Sequence, residues 1–265
     1  MHILKGYTKQ EISWMMYDWA NSAHSVIIVT LLPIFFDTVA GYTADSVSSM
    51  STWGYATSIA MLIVALAAPF LGVFGDIRGM RKKLFSFFML LGVAACAGMA
   101  FTPGMDFTSG PVAAGKVATL ILVLYIVSVI GFDASAIYYD AFLTDVTIED
   151  RMDKVSTMGY GLGYIGGSTI PLLIFLIMNL VGVPMLTCLA FVFGLTAVWW
   201  LAFSLPLLKN CEQTSGKPYE KGDVARSIKG VGTTIKEIIA NKPMLIYILS
   251  YFFYIDGVHT VISMA

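Results

Sequence analysis

Four of the sixteen Lys and Arg in this 265-residue chain fall within Gly72-Val73-Phe74-Gly75-Asp76-Ile77-Arg78-Gly79-Met80-Arg81-Lys82-Lys83. The basic residue before Arg78 is Lys9. On either side of this stretch the sequence is apolar for about twenty residues, enough helix to cross a hydrocarbon core about 30 Å thick. The stretch therefore reads as a tight basic loop between two membrane helices, 53–74 and 84–101. Outward from it, four more apolar runs have the same length: 14–36, 117–139, 156–178 and 185–207. A seventh begins near Met244 and is still running at Ala265, which predicts a longer protein cut inside a helix. Composition agrees, with 57% hydrophobic and 12% charged residues and a mean hydropathy of +0.78. A soluble domain carries about twice that share of charge.

The remaining Lys and Arg alternate with the runs. Two lie before the first (Lys5, Lys9), none in the first loop, four in the second, and one in the third (Lys116). The fourth loop has two (Arg151, Lys154), the fifth none, and the sixth seven, from Lys209 to Lys242. Loops rich in Lys and Arg stay in the cytoplasm. This predicts six complete spans, with the N-terminus and the second, fourth and sixth loops cytoplasmic. The expected domains are a six-helix bundle over 1–207, a cytoplasmic inter-half loop over 208–243, and the start of helix seven over 244–265. In the sixth loop Val224, Ile228, Val231, Ile235 and Ile238 recur at 4-3-4-3 spacing, one face of a helix. Arg226, Lys229 and Lys236 lie off that face, as in a helix resting on the membrane surface. Gly230 and Gly232 favour the alternative, a solvated linker.

Other classes are excluded. A nucleic-acid binder needs a basic face. Cys96, Cys188 and Cys211 are scattered and make no disulfide scaffold. The apolar run after Lys5 and Lys9 is too long for a cleavable signal. No metal-ligand cluster, nucleophile–base pair or phosphate loop is present, so neither an enzyme nor a cofactor is expected.

Ionisable groups at membrane depth mark a pathway or site by default. The first run carries Asp18, Asn21 and His24, the fourth Asp133 and Asp140, and the seventh Asp256 and His259; the other four runs carry none. Asp18 and Asn21 share a helical face, as do Asp133 and Asp140 at seven-residue spacing. Polar cargo on every third helix suggests a repeated three-helix unit, as in many transporters. Simpler readings stand beside this. Asp18 is near the start of its helix and suits an interfacial residue, Asp140 suits a group with Asp145 and the loop beyond, and His24 suits a hydrogen-bonded packing residue. In the fifth run Gly159, Gly163 and Gly167 recur every four residues, a pattern for close helix packing in lipid; bending during transport is the alternative. Trp199 and Trp200 read as interface anchors.

The loop 72–83 resembles the signature loop between helices two and three of major facilitator transporters. In that resemblance Gly72, Asp76, Arg78, Gly79, Arg81 and Lys82 form a conformational-switch loop, with Ile77 departing from the usual basic residue. Tyr17-Asp18-Trp19-Ala20-Asn21-Ser22-Ala23, Tyr139-Asp140 through Asp145, Arg151-Met152-Asp153-Lys154-Val155-Ser156, the glycines of 159–167 and Tyr254-Ile255-Asp256-Gly257-Val258-His259-Thr260 are similar to the vacuole effluxer family within that superfamily. The resemblance spans essentially the whole chain. It implies twelve spans in the whole protein, of which this chain matches six and part of a seventh, and alternating access with helices one, four and seven lining a cavity.

No Lys or Arg lies within a span, which disfavours an anionic cargo. Buried carboxylates suit a substrate ammonium group or a transported proton. The sequence thus predicts a secondary transporter of amino acids or similar zwitterions, with carboxylates on three spans and with proton coupling. Its partners would be substrate, protons, the lipid bilayer and a C-terminal half, and the membrane a cell membrane in bacteria or a vacuolar one in fungi. Export of hydrophobic or cationic compounds, and a scaffold acting through the basic sixth loop, are the alternatives. The chain alone is not expected to transport.

Overall fold

The structure, a computed structural model, describes residues 4–43, 49–218 and 223–264. Each apolar run is helical. The elements are α1 (Lys9–Ala40), α2 (Ser49–Gly75), α3 (Arg81–Met99), α4 (Pro111–Val146), α5 (Glu149–Leu162), α6 (Thr169–Leu180), α7 (Met185–Asn210), α8 (Asp223–Ala240) and α9 (Lys242–Met264). A π-helical turn, Gly163–Ser168, joins α5 to α6, so the two make one span. Six helical segments are long and apolar enough to cross a membrane: α1, α2, α3 with the short turn after it, α4, α5 through α6, and α7. Among the described residues there is no strand, and the chain is an all-α, multi-pass membrane protein. In lipid each backbone polar group must be satisfied within its own helix, which is why apolar runs of this length have no other stable form.

The chain forms two compact units, Met1–Lys217 and Pro218–Ala265. The first therefore runs past Leu207 and takes in the segment after α7. The second contains α8 and α9, which meet at a bend of 99° between Gly230–Ala240 and Lys242–Ile255.

Within the first unit α1 is central and packs against α4, α5, the π turn and α7, while α3 lies along α4 and α7. Ile27, Ile28, Leu32 and Phe35 of α1 meet Met89 and Cys96 of α3, Ile121 of α4 and Phe193 of α7 in one buried cluster. α2 packs on α4 and turns Tyr55, Leu62 and Leu66 outward. Lipid is as apolar as Leu, so close backbone approach rather than water exclusion holds such helices together. Gly92 of α3 and Gly131 of α4 supply that approach: a Cβ on Gly131 would lie 2.5 Å from the Gly92 nitrogen.

Trp200 corrects the anchor reading. It is fully buried, because Gly92 leaves the space its ring occupies, and its indole N–H donates to the Tyr17 hydroxyl at 3.4 Å. Trp199 donates to the Trp19 carbonyl at 3.0 Å. α1 begins with a capping box: Thr8 Oγ1 accepts from the Glu11 N–H at 3.1 Å, and Glu11 Oε2 accepts from the Thr8 N–H at 2.7 Å. This satisfies two of the donors that a helix start leaves open.

Candidate functional site

The loop 75–81 is held by the chain that follows α7. Arg81, the first residue of α3, is buried. Its guanidinium donates to the Asp145 carboxylate near the end of α4, to the Ala141 carbonyl at 3.0 Å and to Ser215 Oγ at 3.3 Å. Asp145 Oδ1 accepts from the N–H and hydroxyl groups of both Thr214 and Ser215 at 2.8–3.0 Å. Gln213 Oε1 accepts from the Gly79 N–H at 2.8 Å and the Arg81 N–H at 3.3 Å, while its amide donates to the Gly75 carbonyl at 3.0 Å. Two backbone bonds finish the seam, Arg78 N–H to Lys217 O at 3.0 Å and Lys217 N–H to Asp76 O at 3.1 Å. Gly216 has φ +117°, and a Cβ there would stand 2.7 Å from the Asp76 carbonyl. Only glycine enters this conformation without strain.

Of the residues read as the switch loop, Asp76 is exposed and 3.8 Å from Arg81, at the edge of ion-pair range. The closer carboxylate is Asp145. Gly72 lies in the last turns of α2 with open space around it, Gly79 makes the turn at φ +80°, Arg78 has an exposed side chain, and Lys82 continues α3.

A second charge cluster sits at the start of α1. Glu11 is buried and accepts from Arg151 Nε and a terminal guanidinium nitrogen, both at 2.8 Å, and from Thr147 Oγ1 at 2.7 Å. Arg151 also donates to the Gly6 carbonyl at 3.0 Å. Just past α7, the Cys211 thiol is pushed up to about 12 by burial, which leaves it unreactive.

Further along α1 and α4 the carboxylates are in no ion pair among the described residues. Asp18 is half-buried on α1 and Asp140 exposed on α4, near enough to act on one another electrostatically. Asn21 is buried one turn along α1. Asp133 is half-buried on α4, about 10 Å from Asp140 along the axis at 1.5 Å per residue. It lies within electrostatic reach of Tyr125, whose hydroxyl shares a 3.0 Å hydrogen bond with Thr57 of α2. His24 is buried instead, with Nε2 3.3 Å from Ser128 Oγ and its ring stacked on Phe132 at 4.8 Å; Nδ1 has no partner. The helices carrying these groups are fixed by Trp14, which stacks on Tyr139 at 4.3 Å and donates to its carbonyl at 2.9 Å. The side chains of Asp256 and His259 lie outside the described residues.

Gly159, Gly163 and Gly167 all turn toward α1. A Cβ on Gly159 would come within 2.7 Å of Asp18 Oδ2, and one on Gly163 within 2.6 Å of Ser22 Oγ. Gly166, beside them, leaves room for the Trp19 ring. The π turn thus wraps α1 along its glycines; such turns are frequent at functional sites. Among the described residues no three His, Cys, Asp or Glu side chains gather as metal ligands.

Sequence reasoning did not find the roles of Asp145, Gln213, Ser215 and Glu11. For Glu11 a signal existed, since Thr8-x-x-Glu11 is a capping-box pattern. For Asp145 and Ser215 there was none, because their partners lie 60 or more residues away.

Comparison with known proteins places this architecture. The family model described as "Vacuole effluxer Atg22 like" matches residues 38–150 and 144–265. The uncharacterized MFS-type transporter YxiO of Bacillus subtilis (strain 168) is 40% identical over 271 residues, covering 99% of this chain and 60% of that protein. Autophagy-related protein 22-1 of Penicillium rubens is 27% identical over 129 residues, 44% of this chain and 22% of its own length. The protein of the same name from Sclerotinia sclerotiorum is 27% identical over 128 residues, 42% and 21% of the two chains. The chain thus spans about three fifths of the bacterial relative's length, and the part of it that matches covers about a fifth of each fungal one. With its six apolar spans and this match over most of its length, the chain belongs to the vacuole effluxer Atg22-like family of major facilitator-type membrane proteins.

Proposed function

We propose that the chain is part of a secondary transporter that moves amino acids or similar small zwitterions by alternating access, with proton coupling. The observation that carries this reading is the set of carboxylates at membrane depth, Asp18, Asp133 and Asp140, with which no Lys, Arg or His among the described residues forms an ion pair. A charge left unpaired there is costly and is retained where a pathway needs it. Asp133, the deeper of the two on α4, is the proton carrier in this reading, and Asp256 its counterpart in α9. Asn21 adds a polar contact, while His24 contributes through packing. The names of the family and of the bacterial relative support transport. The count of Lys and Arg sets the loop 75–81 and the segment after α7 on the cytoplasmic side. There the Arg81–Asp145 pair and its strap are the part that rearranges as the carrier turns over, since interfaces of this kind have discrete packings rather than continuous ones.

The test is flux of labelled amino acids in liposomes holding the complete protein, at two pH values. Asp133→Asn is expected to abolish the pH dependence of uptake. Unchanged proton coupling would remove Asp133 from the role, and absence of amino-acid flux in the parent would remove the substrate class.

A further inference from the structure

Asp18 and Asp140 come from helices that pack directly against one another and lie within electrostatic reach of each other, and like charges so placed repel unless a cation joins them. None of the ion pairs among the described residues reaches either. A third group points to what is missing. Tyr139 is buried, its ring fixed by the Trp14 stack, and its hydroxyl faces Asp18 outside good hydrogen-bond geometry and without any other partner. A buried hydroxyl in that state is expensive unless a ligand completes it.

The space is shaped as well. Gly159 leaves the Asp18 carboxylate its position, because a Cβ there would stand 2.7 Å from Oδ2 and 3.2 Å from the Trp14 ring. One residue on, Tyr160 is exposed, 5.3 Å from the exposed ring of Tyr164, and within electrostatic reach of both carboxylates. Aromatic faces attract cations and line alkyl chains equally well.

We propose that Asp18, Asp140 and the Tyr139 hydroxyl, walled by Tyr160 and Tyr164, form a binding site for a primary alkylammonium group. Three donors on an –NH3+ match two carboxylates and one phenol oxygen. A divalent metal ion would require more oxygen ligands than this set offers. The site rests on the transport reading above, where it receives the amino end of the cargo while Asp133 serves the proton.

The complete protein, purified in detergent, is titrated with n-butylammonium chloride, with NaCl, KCl and sodium butyrate as controls, and its thermal unfolding is followed. The parent is expected to show saturable stabilisation by n-butylammonium alone. Asp18→Asn and Asp140→Asn each weaken that affinity by at least about tenfold, as loss of a charge-assisted contact does. Asp106→Asn, on an exposed turn remote in sequence from all five residues, leaves it unchanged. Tyr160→Ala removes an exposed ring without touching the core; it weakens binding about threefold and Tyr160→Phe restores it, as expected of a cation over an aromatic face. Equal stabilisation by NaCl or KCl, a response to pH with none to n-butylammonium, or affinity indifferent to both Asp18→Asn and Tyr160→Ala would overturn the site. The readout is binding rather than flux. A protein that holds n-butylammonium but moves no amino acid would overturn only the transport reading, and one that moves amino acids with binding indifferent to Asp18→Asn would overturn only this site.

Discussion

Arg81 and Asp145 sit at the ends of α3 and α4, and between them they engage the Ala141 carbonyl of α4 and the two hydroxyls and two backbone N–H groups of Thr214 and Ser215 in the segment after α7. Asp140, five residues before Asp145 on the same helix, is in no ion pair among the described residues, and neither is Asp18 on α1. One helix thus carries two carboxylates in opposite conditions. Where both carboxylate oxygens have partners, the charge fixes one arrangement of the loop, and breaking it leaves a buried ion stranded. Where no ion pair forms, the carboxylate does not lock the helices through pairing, and this is the condition that the proposed ammonium site uses.

The comparison makes ordered predictions. The largest effect belongs to Arg81→Leu, which strands the buried Asp145 carboxylate; a loss of about 3–5 kcal/mol is expected. Thermal unfolding in detergent measures it, and the double variant Arg81→Leu, Asp145→Leu should recover much of the loss. Arg151→Leu comes next, with a smaller loss in the same assay, because Glu11 is buried but Arg151 is partly in contact with solvent. Gly166→Ala, which drives a methyl into the Trp19 ring, costs about 1–3 kcal/mol by the same assay. Gly216→Ala loosens only the strap and costs about 1 kcal/mol, with faster proteolysis after Gln213 as its marker. Smallest is Asp18→Asn, within about 0.5 kcal/mol or stabilising, since it removes an uncompensated charge and leaves the shape intact. A stability loss at Asp18 as large as at Arg81 would erase the distinction between the two regions.

The six spans were readable because lipid imposes one demand on every residue of a run, so hydropathy and length suffice. The carboxylates at depth were readable for the same reason, as exceptions to that demand. Which of them pair was not. Asp140 and Asp145 are alike in sequence, and only the fold reveals that the chain returning after α7 reaches one of them. The glycines of 159–167 showed a close approach but not its object, the α1 residues Asp18, Trp19 and Ser22. Trp200 carries no sign in its neighbours that Gly92, more than a hundred residues earlier, vacates its place.

The backbone bridge between Ile77 and Lys217 has a mechanical consequence. The sixth span ends at Asn210, yet the polypeptide is not released there; it is moored beside the turn that joins α2 to α3 before it moves on. The slack available to the rest of the molecule is therefore shorter than the interval between spans implies. A pull on residues beyond Lys217 is delivered first to Asp76 and Arg78, in the turn between α2 and α3.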